Sequence, residues 1–254
     1  MRAAIDLNCD LGESFGAWTM GEDEAVLPHV SSANVACGFH AGDPTVMRRT
    51  VALAKAHGAA VGAHLSLPDL QGFGRREMRV SPDEAYDFTL YQVGALAAHA
   101  RAQGVDLAHV KPHGALYNMA ARDRALADAI AHAVHDLDPS LLLFGLSGSA
   151  LPAAGDAVGL AVAHEVFADR AYRTDGSLAP RGTAGAVIDD PALAAARAAA
   201  FAAGEPVAAV DGTPLRLRAD TVCVHGDRAG AGAFARALRG RLDALGVVVR
   251  APRA

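Results

Sequence analysis

Cysteine is scarce in this chain of 254 residues: there are three, at positions 9, 37 and 223, with no C-x-x-C spacing. A disulfide framework and a zinc ribbon are therefore unsupported, and small buried thiols are expected. Long apolar runs are missing too. The nearest, Ala192 to Val210, is broken by Arg197 and Glu205, so no membrane span is expected. Asp6 and Asp10 leave no room for the apolar region of a signal peptide, which makes the cytoplasm the expected compartment. Positive charge is also short. With a net charge of -5 and Lys and Arg scattered, no basic stripe or arginine/aromatic platform forms, which argues against nucleic acid and for a small-molecule ligand. No G-x-x-x-x-G-K-[ST], G-x-S-x-G or H-E-x-x-H occurs, and no G-x-G-x-x-G follows the first apolar run. Walker-type ATP binding, serine-hydrolase chemistry and zincin chemistry all lose support.

Apolar residues are plentiful: the chain is 52% hydrophobic and 20% charged, enough to bury a large core in one domain spanning 1–254. Seven short apolar runs carry a polar residue at or next to their ends: Ile5 to Asn8, Ala33 to Val35, Val61 to His64, Val110 to His113, Leu141 to Ser147, Ala161 to Glu165 and Val222 to His225. Residues two apart share a face of a strand, so Asp6 points with Asn8, and Lys111 with His113, while Ile5, Leu7 and Val110 point oppositely. Between these runs lie helix signals. Asp43-Pro44 and the capping box Ser81-Pro82-Asp83-Glu84 open two helices, the second running to Gln103. Asp123 to His135, Asp190-Pro191 to Ala203 and Ala229 to Leu245 complete the set. Strand-helix alternation implies a parallel α/β sheet, and polar residues at the ends of nearly all strands favour a TIM-like (β/α) barrel of about seven strands over a doubly wound sheet. Residues 206–218 depart from the alternation: an Asp211-Gly212 turn between two short runs predicts an inserted β-hairpin.

Long connections, Asn8 to Val30, Leu65 to Val80 and Val166 to Gly185, follow strand ends and suit binding loops. Asp6, Asn8 and Asp10 share a face and fit carboxylate catalysis, a divalent metal or structural capping; the glycine and final Glu of an EF-hand loop are lacking. Asn34 leads into a glycine-flanked turn that carries His40. Gly62-Ala63 before His64 leaves space inside a barrel, and Lys111 with His113 offers a charge-holding amine beside an imidazole able to move protons. Glu165, Asp169 and Arg170 cluster at another strand end, and Arg170 or Arg181 could grip a carboxylate bidentately. Two weaker signals are Gly145 to Ser149, where free helical N–H groups could cradle an anion, and Gln71 to Arg76, a glycine loop that suits either a solvated loop or an anion-binding lid.

Five ordered blocks, IDLNCDLGESFG (5–16), SSANVACGFHAGDP (31–44), GAHLSLPDLQGFGRR (62–76), VKPHGALYN (110–118) and EVFADRAYRTDGSLAPRG (165–182), together resemble the LamB/YcsF family over most of the chain. The resemblance implies a barrel of the glycoside hydrolase/deacetylase superfamily type and a place in an ATP-dependent 5-oxoprolinase, a hydrolase that opens the cyclic amide of 5-oxo-L-proline to L-glutamate. It also implies ATP as co-substrate of a complex with 5-oxoprolinase subunits B and C, which accounts for the missing nucleotide loop. In that setting Asp10, Glu13 or Glu165 is expected to activate water, with His64 and His113 moving protons or stabilising an oxyanion. Lys111 and Arg170 would hold carboxylate or phosphate, with Asp6 and Asn8 in the same catalytic set and Asn34, His40, Asp169 and Arg181 on the substrate. Metal dependence stays open at this point. The competing expectations are a stand-alone metal-dependent amide or sugar deacetylase and a non-catalytic lactam-binding subunit.

Overall fold

In the segment AIDLNCDL every second residue is apolar, and in the computed structural model, which describes residues 4–227 and 229–253, this segment is the eight-residue strand β1 (Ala4–Leu11). After it come α1 (Asp23–Val26), β2 (Ser32–Ala36), α2 (Pro44–His57), β3 (Ala60–Leu65), α3 (Pro82–Ala102), β4 (Leu107–Pro112), α4 (Gly114–Arg122) and α5 (Arg124–Leu137). The second half holds β5 (Leu142–Leu146), α6 (Ala150–Val158), β6 (Val162–Phe167), α7 (Pro191–Ala203), β7 (Val207–Ala208), β8 (Pro214–Leu215), β9 (Thr221–His225), α8 (Ala231–Ala244) and β10 (Val248–Val249). Strands β1 to β6 pair in order, β6 pairs β9, and β9 returns to β1, so seven parallel strands close into a barrel. Strand β10 adds to the start of β1, and β7 with β8 forms a separate antiparallel hairpin. No described helix is long and apolar enough to cross a membrane.

Local chemistry sets the helix starts. Asp43 Oδ1 accepts from the N–H groups of Thr45 and Val46, and Ser81 with Glu84 forms the reciprocal capping box of α3. The helix α4 is not foreshadowed by any cap residue: it begins directly after His113, whose side chain makes no capping bond. Strand β1 runs to Leu11, three residues beyond the sequence-based end, so Asp10 belongs to the barrel wall and not to the following loop.

The alternation divides the molecule's two interiors. Leu7, Cys9, Leu11, Val35, Val61, Val110, Val166 and Val222 face outward and pack with Val51, Leu96, Ile130 and Leu238 of the surrounding helices, forming the main core. The inward faces carry Asp6, Asn8, Asp10, Asn34, His64, His109, Lys111, Glu165, Thr221 and Cys223, all buried. Inside the barrel a small apolar cluster, Leu142, Phe144 and Ala163, closes the end where the strands begin, and Phe144 stacks on His109 with centroids 4.1 Å apart. Branched apolar residues usually fill such a barrel; here hydrogen bonds do. The space expected beside Gly62 is occupied: a Cβ at that position would lie 2.1 Å from His109 Nε2, so the glycine makes room for the imidazole of the neighbouring strand.

Asp6 sits deepest. Its Oδ1 accepts from Ser31 Oγ (2.6 Å) and Ser32 Oγ (2.8 Å), and its Oδ2 from Thr221 Oγ1 (2.6 Å). Burial nevertheless pushes its carboxyl up to about 6, with the three hydroxyls pulling the other way and Glu165 adding to the rise. A folded-state value above the unfolded 3.8 means the native state binds the extra proton between those limits. Stability from this group is thus largest at low pH and falls as pH rises through about 4 to 6, by about 3 kcal/mol at most. Urea unfolding of the wild type and of Asp6→Asn at pH 5 and 7 checks this: relative to the variant, the wild type should lose stability at pH 7, and equal pH slopes would refute it.

Candidate active site at the barrel mouth

Strand register brings the inward polar residues level with one another. Asp10 pairs Asn34 on one side and His225 on the other, His64 pairs Lys111, and Glu165 pairs Thr221. At the centre is the Lys111 ammonium, 2% exposed, with Nζ 2.7 Å from Asp10 Oδ1 and 2.8 Å from Glu165 Oε1. It also reaches Asn8 Oδ1 (3.2 Å) and Cys223 Sγ (3.1 Å). Asn8 Nδ2 donates to Glu165 Oε1 (3.0 Å) and to Thr221 Oγ1 (2.7 Å). Asn34 Nδ2 donates to Asn8 Oδ1 (2.7 Å) and Asp10 Oδ1 (2.8 Å), while Asn34 Oδ1 lies 2.6 Å from His109 Nε2. Burial opposes both charges of the central pair, yet they win: His64 and Lys111 hold the Asp10 carboxyl well below the usual range, and Asp10, Cys223 and Glu165 hold the Lys111 ammonium well above its own.

Above Asp10 stands a cluster of imidazoles. His64 Nε2 is 3.3 Å from Asp10 Oδ2 and 3.0 Å from His113 Nδ1. His64 Nδ1 meets the Lys111 carbonyl at 2.9 Å, and His113 Nε2 meets the Phe73 carbonyl, also at 2.9 Å. The His40 ring stacks on His113 with centroids 4.0 Å apart. Glu13 Oε1 is 3.6 Å from His40 Nε2 and 3.7 Å from His113 Nδ1. Burial depresses His40 and His113 well below the ordinary imidazole value and raises Glu13 well above the ordinary carboxylate value.

The opposite wall comes from β6, β9 and the loop after β6. Asp169 Oδ2 accepts from His225 Nδ1 (2.7 Å), and Arg181 Nη2 meets His225 Nε2 at 2.9 Å, which assigns the imidazole proton to Nδ1. Arg170 Nη2 donates to the Ala179 carbonyl (2.6 Å) and Nε to that of Ala186 (3.4 Å), tying the loop together. Arg75 reaches Asp227 at 2.5 Å, and Arg76 pairs with Asp69.

Between the two walls is a cavity of about 840 Å³. Lys111 and five arginines (75, 122, 170, 173, 181) line it against the three carboxylates of Asp10, Glu77 and Asp175, so it suits an anionic ligand. Ser147, Gly148 and Ser149 line it too, at the start of α6, where Ser149 makes no capping bond. Of the residues singled out from sequence, Asp10, His64, Lys111, His113, Arg170 and Arg181 reach the cavity. Asn8, Asn34 and Glu165 brace it from below, and Glu13 and His40 stand behind His113. Asp169 supports His225. Asp6 is placed at the other end of the barrel, away from this cavity. His225, His109, Cys223, Thr221 and Phe73 were missed as site residues. The alternating run Val222 to His225 carried the signal for two of them, His225 and Cys223, since it ends as the runs containing His64 and Lys111 do.

Residues 5–254 match the model of the LamB/YcsF family. Curated relatives include the 5-oxoprolinase A subunit of Bordetella parapertussis (strain 12822), 57% identical over 99% of this chain and 100% of that protein. Another is the 5-oxoprolinase A subunit of Bacillus subtilis (strain 168), 55% identical over 97% of this chain and 96% of that one. The crystal structure of the lactam utilization protein from Thermus thermophilus covers 98% of this chain and 100% of its own, with 51% identity and a TM-score of 0.93.

Removing the central cation should leave two buried carboxylates facing each other. Lys111→Met is expected to cost about 3–5 kcal/mol in denaturant unfolding, and adding Glu165→Gln to recover part of that loss. A single variant within about 1 kcal/mol of the wild type would overturn the role given to Lys111.

Proposed function

This chain belongs to the LamB/YcsF family, and we propose that it is the subunit of a 5-oxoprolinase complex that carries the activated lactam through to L-glutamate. The observation that carries the proposal is Asp10, 2.7 Å from the Lys111 ammonium, at the floor of a cavity rich in arginine. Relatives named as the A subunit support the existence of further subunits; in this reading they are B and C, which would bind and cleave ATP, since this sequence has no Walker loop. Opening a five-membered lactam requires water to add to the carbonyl carbon and the C–N bond to break. Transfer of the ATP γ-phosphoryl group to the carbonyl oxygen by the partners would activate the carbon: water adds to it, the C–N bond breaks with the nitrogen taking a proton to give the acyl phosphate of glutamate, and a second water releases phosphate and leaves L-glutamate.

The substrate then carries a carboxylate and a phosphate, and the cationic wall fits both. Arg181, oriented by His225 and Asp169, faces the cavity and would take the anionic end. Asp10 would accept the proton of the attacking water, with Lys111 and Asn34 fixing Oδ1 and Oδ2 lying 3.3 Å from His64 Nε2. Glu165, although a carboxylate, is fully buried beneath Lys111 and does not line the cavity, so its contribution is to balance the ammonium charge.

Reconstitution with the B and C subunits, following glutamate release and ATP cleavage, tests this reading. Asp10→Asn should lower glutamate release by roughly 100-fold or more while the circular dichroism spectrum is kept. Arg181→Met should mainly raise the KM for 5-oxoproline, by roughly 10-fold. Undiminished glutamate release by B and C alone would show that the chain serves only to capture the lactam.

A further inference from the structure

We propose that Glu13, His40, His64 and His113 form a binding site for one divalent transition-metal ion of the zinc type. Their potential ligand atoms lie within 4.8 Å of one another, and all four residues are buried. The argument begins with the two backbone carbonyls behind the rings. His64 Nδ1 is 2.9 Å from the carbonyl of Lys111 and His113 Nε2 is 2.9 Å from that of Phe73. A carbonyl only accepts, so each of these nitrogens carries the proton. In neutral rings the remaining nitrogens, His64 Nε2 and His113 Nδ1, are then both lone pairs, and they face each other at 3.0 Å. Asp10 Oδ2 adds a third acceptor 3.3 Å from His64 Nε2. Buried acceptors do not converge unless a cation lies among them.

That cation is either a proton or a metal ion. A proton on His64 satisfies His64, His113 and Asp10. It leaves Glu13 Oε1 and both nitrogens of His40 buried without any hydrogen-bond partner, which is how they stand in the structure. Each such group has lost its hydration with nothing in return. A metal ion drawn between the rings gives Glu13 Oε1 and a nitrogen of His40 their missing partner as well. Neutral imidazoles with a lone pair toward the ion are the required ligands, and the carbonyls of Lys111 and Phe73 set His64 and His113 in that orientation. Backbone carbonyls that receive the distal N–H of each ligand ring are the usual outer support of a metal-bound histidine. Two nitrogens at roughly 2.0–2.1 Å from a tetrahedral ion stand roughly 3.3 Å apart, so the 3.0 Å separation needs only a small adjustment. Three imidazoles with one carboxylate suit zinc and its first-row neighbours, not magnesium or calcium.

The proposal stands apart from the lactam reading, because metal content is measured without turnover. Full-length protein is stripped with chelator and titrated with Co²⁺ and with Zn²⁺. About one equivalent of Co²⁺ should bind, with the visible d–d absorption of a four-coordinate site, and Zn²⁺ should displace it. Glu13→Gln and His113→Ala should each weaken Co²⁺ binding by roughly 100-fold or more. If either variant fails to fold, anomalous scattering from zinc-loaded wild-type crystals decides, with a peak expected among these four side chains. The proposal is overturned by absence of the band and of any bound equivalent, by binding that both variants retain, or by an anomalous peak elsewhere.

Discussion

The Lys111 ammonium, enclosed by Asp10 and Glu165 inside a closed barrel, is the interaction on which the rest depends. Charges removed from water must find their whole complement of partners in the protein. Lys111 has two carboxylates, a carboxamide oxygen and a thiol around it. Those partners in turn consume the polar atoms of Asn8 and Asn34, and Asn34 reaches His109. One buried cation thus propagates hydrogen bonding through the barrel. It also explains why the apolar core lies outside: with the interior committed to polar contacts, Leu7, Val35, Val110 and Val222 must find their burial against the helices.

A rigid floor gives the mouth its precision. Asp10, His64 and Lys111 rise from β1, β3 and β4 of one closed sheet, whose positions are set by the ladder, whereas Phe73, Glu13, Arg75 and Arg181 come from connections above it. The two walls are chemically unlike. On the β1 to β4 side stand imidazoles and carboxylates able to hold a cation or a proton; on the β6 to β9 side stand guanidinium groups able to hold an anion. Under the proposed function, a small molecule with a negative end and a reactive carbonyl would lie with its anionic end toward Arg181 and its carbonyl toward Asp10.

Alternation made much of this legible. The runs Ile5 to Asn8 and Val110 to His113 revealed which face carried charge, and the Ser81 and Asp43 caps placed two helices at their observed starts. What alternation cannot encode is depth along the barrel axis. Asp6 and Asp10 share a face, but three residues of β1 separate a structural carboxylate hydrogen-bonded by three hydroxyls from one that lines the cavity. Nor does it encode which strands become neighbours. His225 gains its meaning from Asp169 and Arg181, at sequence separations of 56 and 44 residues, and His109 from Gly62 across the β3–β4 ladder. The five family blocks, in contrast, were legible directly, because they are local strings.

The arginines divide their labour for a physical reason. A guanidinium has five donors and no acceptor, so any N–H that finds a carbonyl is no longer available to a ligand. Arg170 gives two of its nitrogens to the carbonyls of Ala179 and Ala186, and its own carbonyl accepts from Arg197 Nη2 at 3.0 Å. Its main effect is to fold residues 170–187 back on themselves, supported by the bridges Arg170 to Val187 and Tyr172 to Leu178. Arg181 lies within that folded loop and meets His225 Nε2. The buried arginine therefore acts as the brace that presents the freer one, and the sequence motif DRAYRTDGSLAPRG reads as one unit of support and recognition, not as two equivalent anion grips.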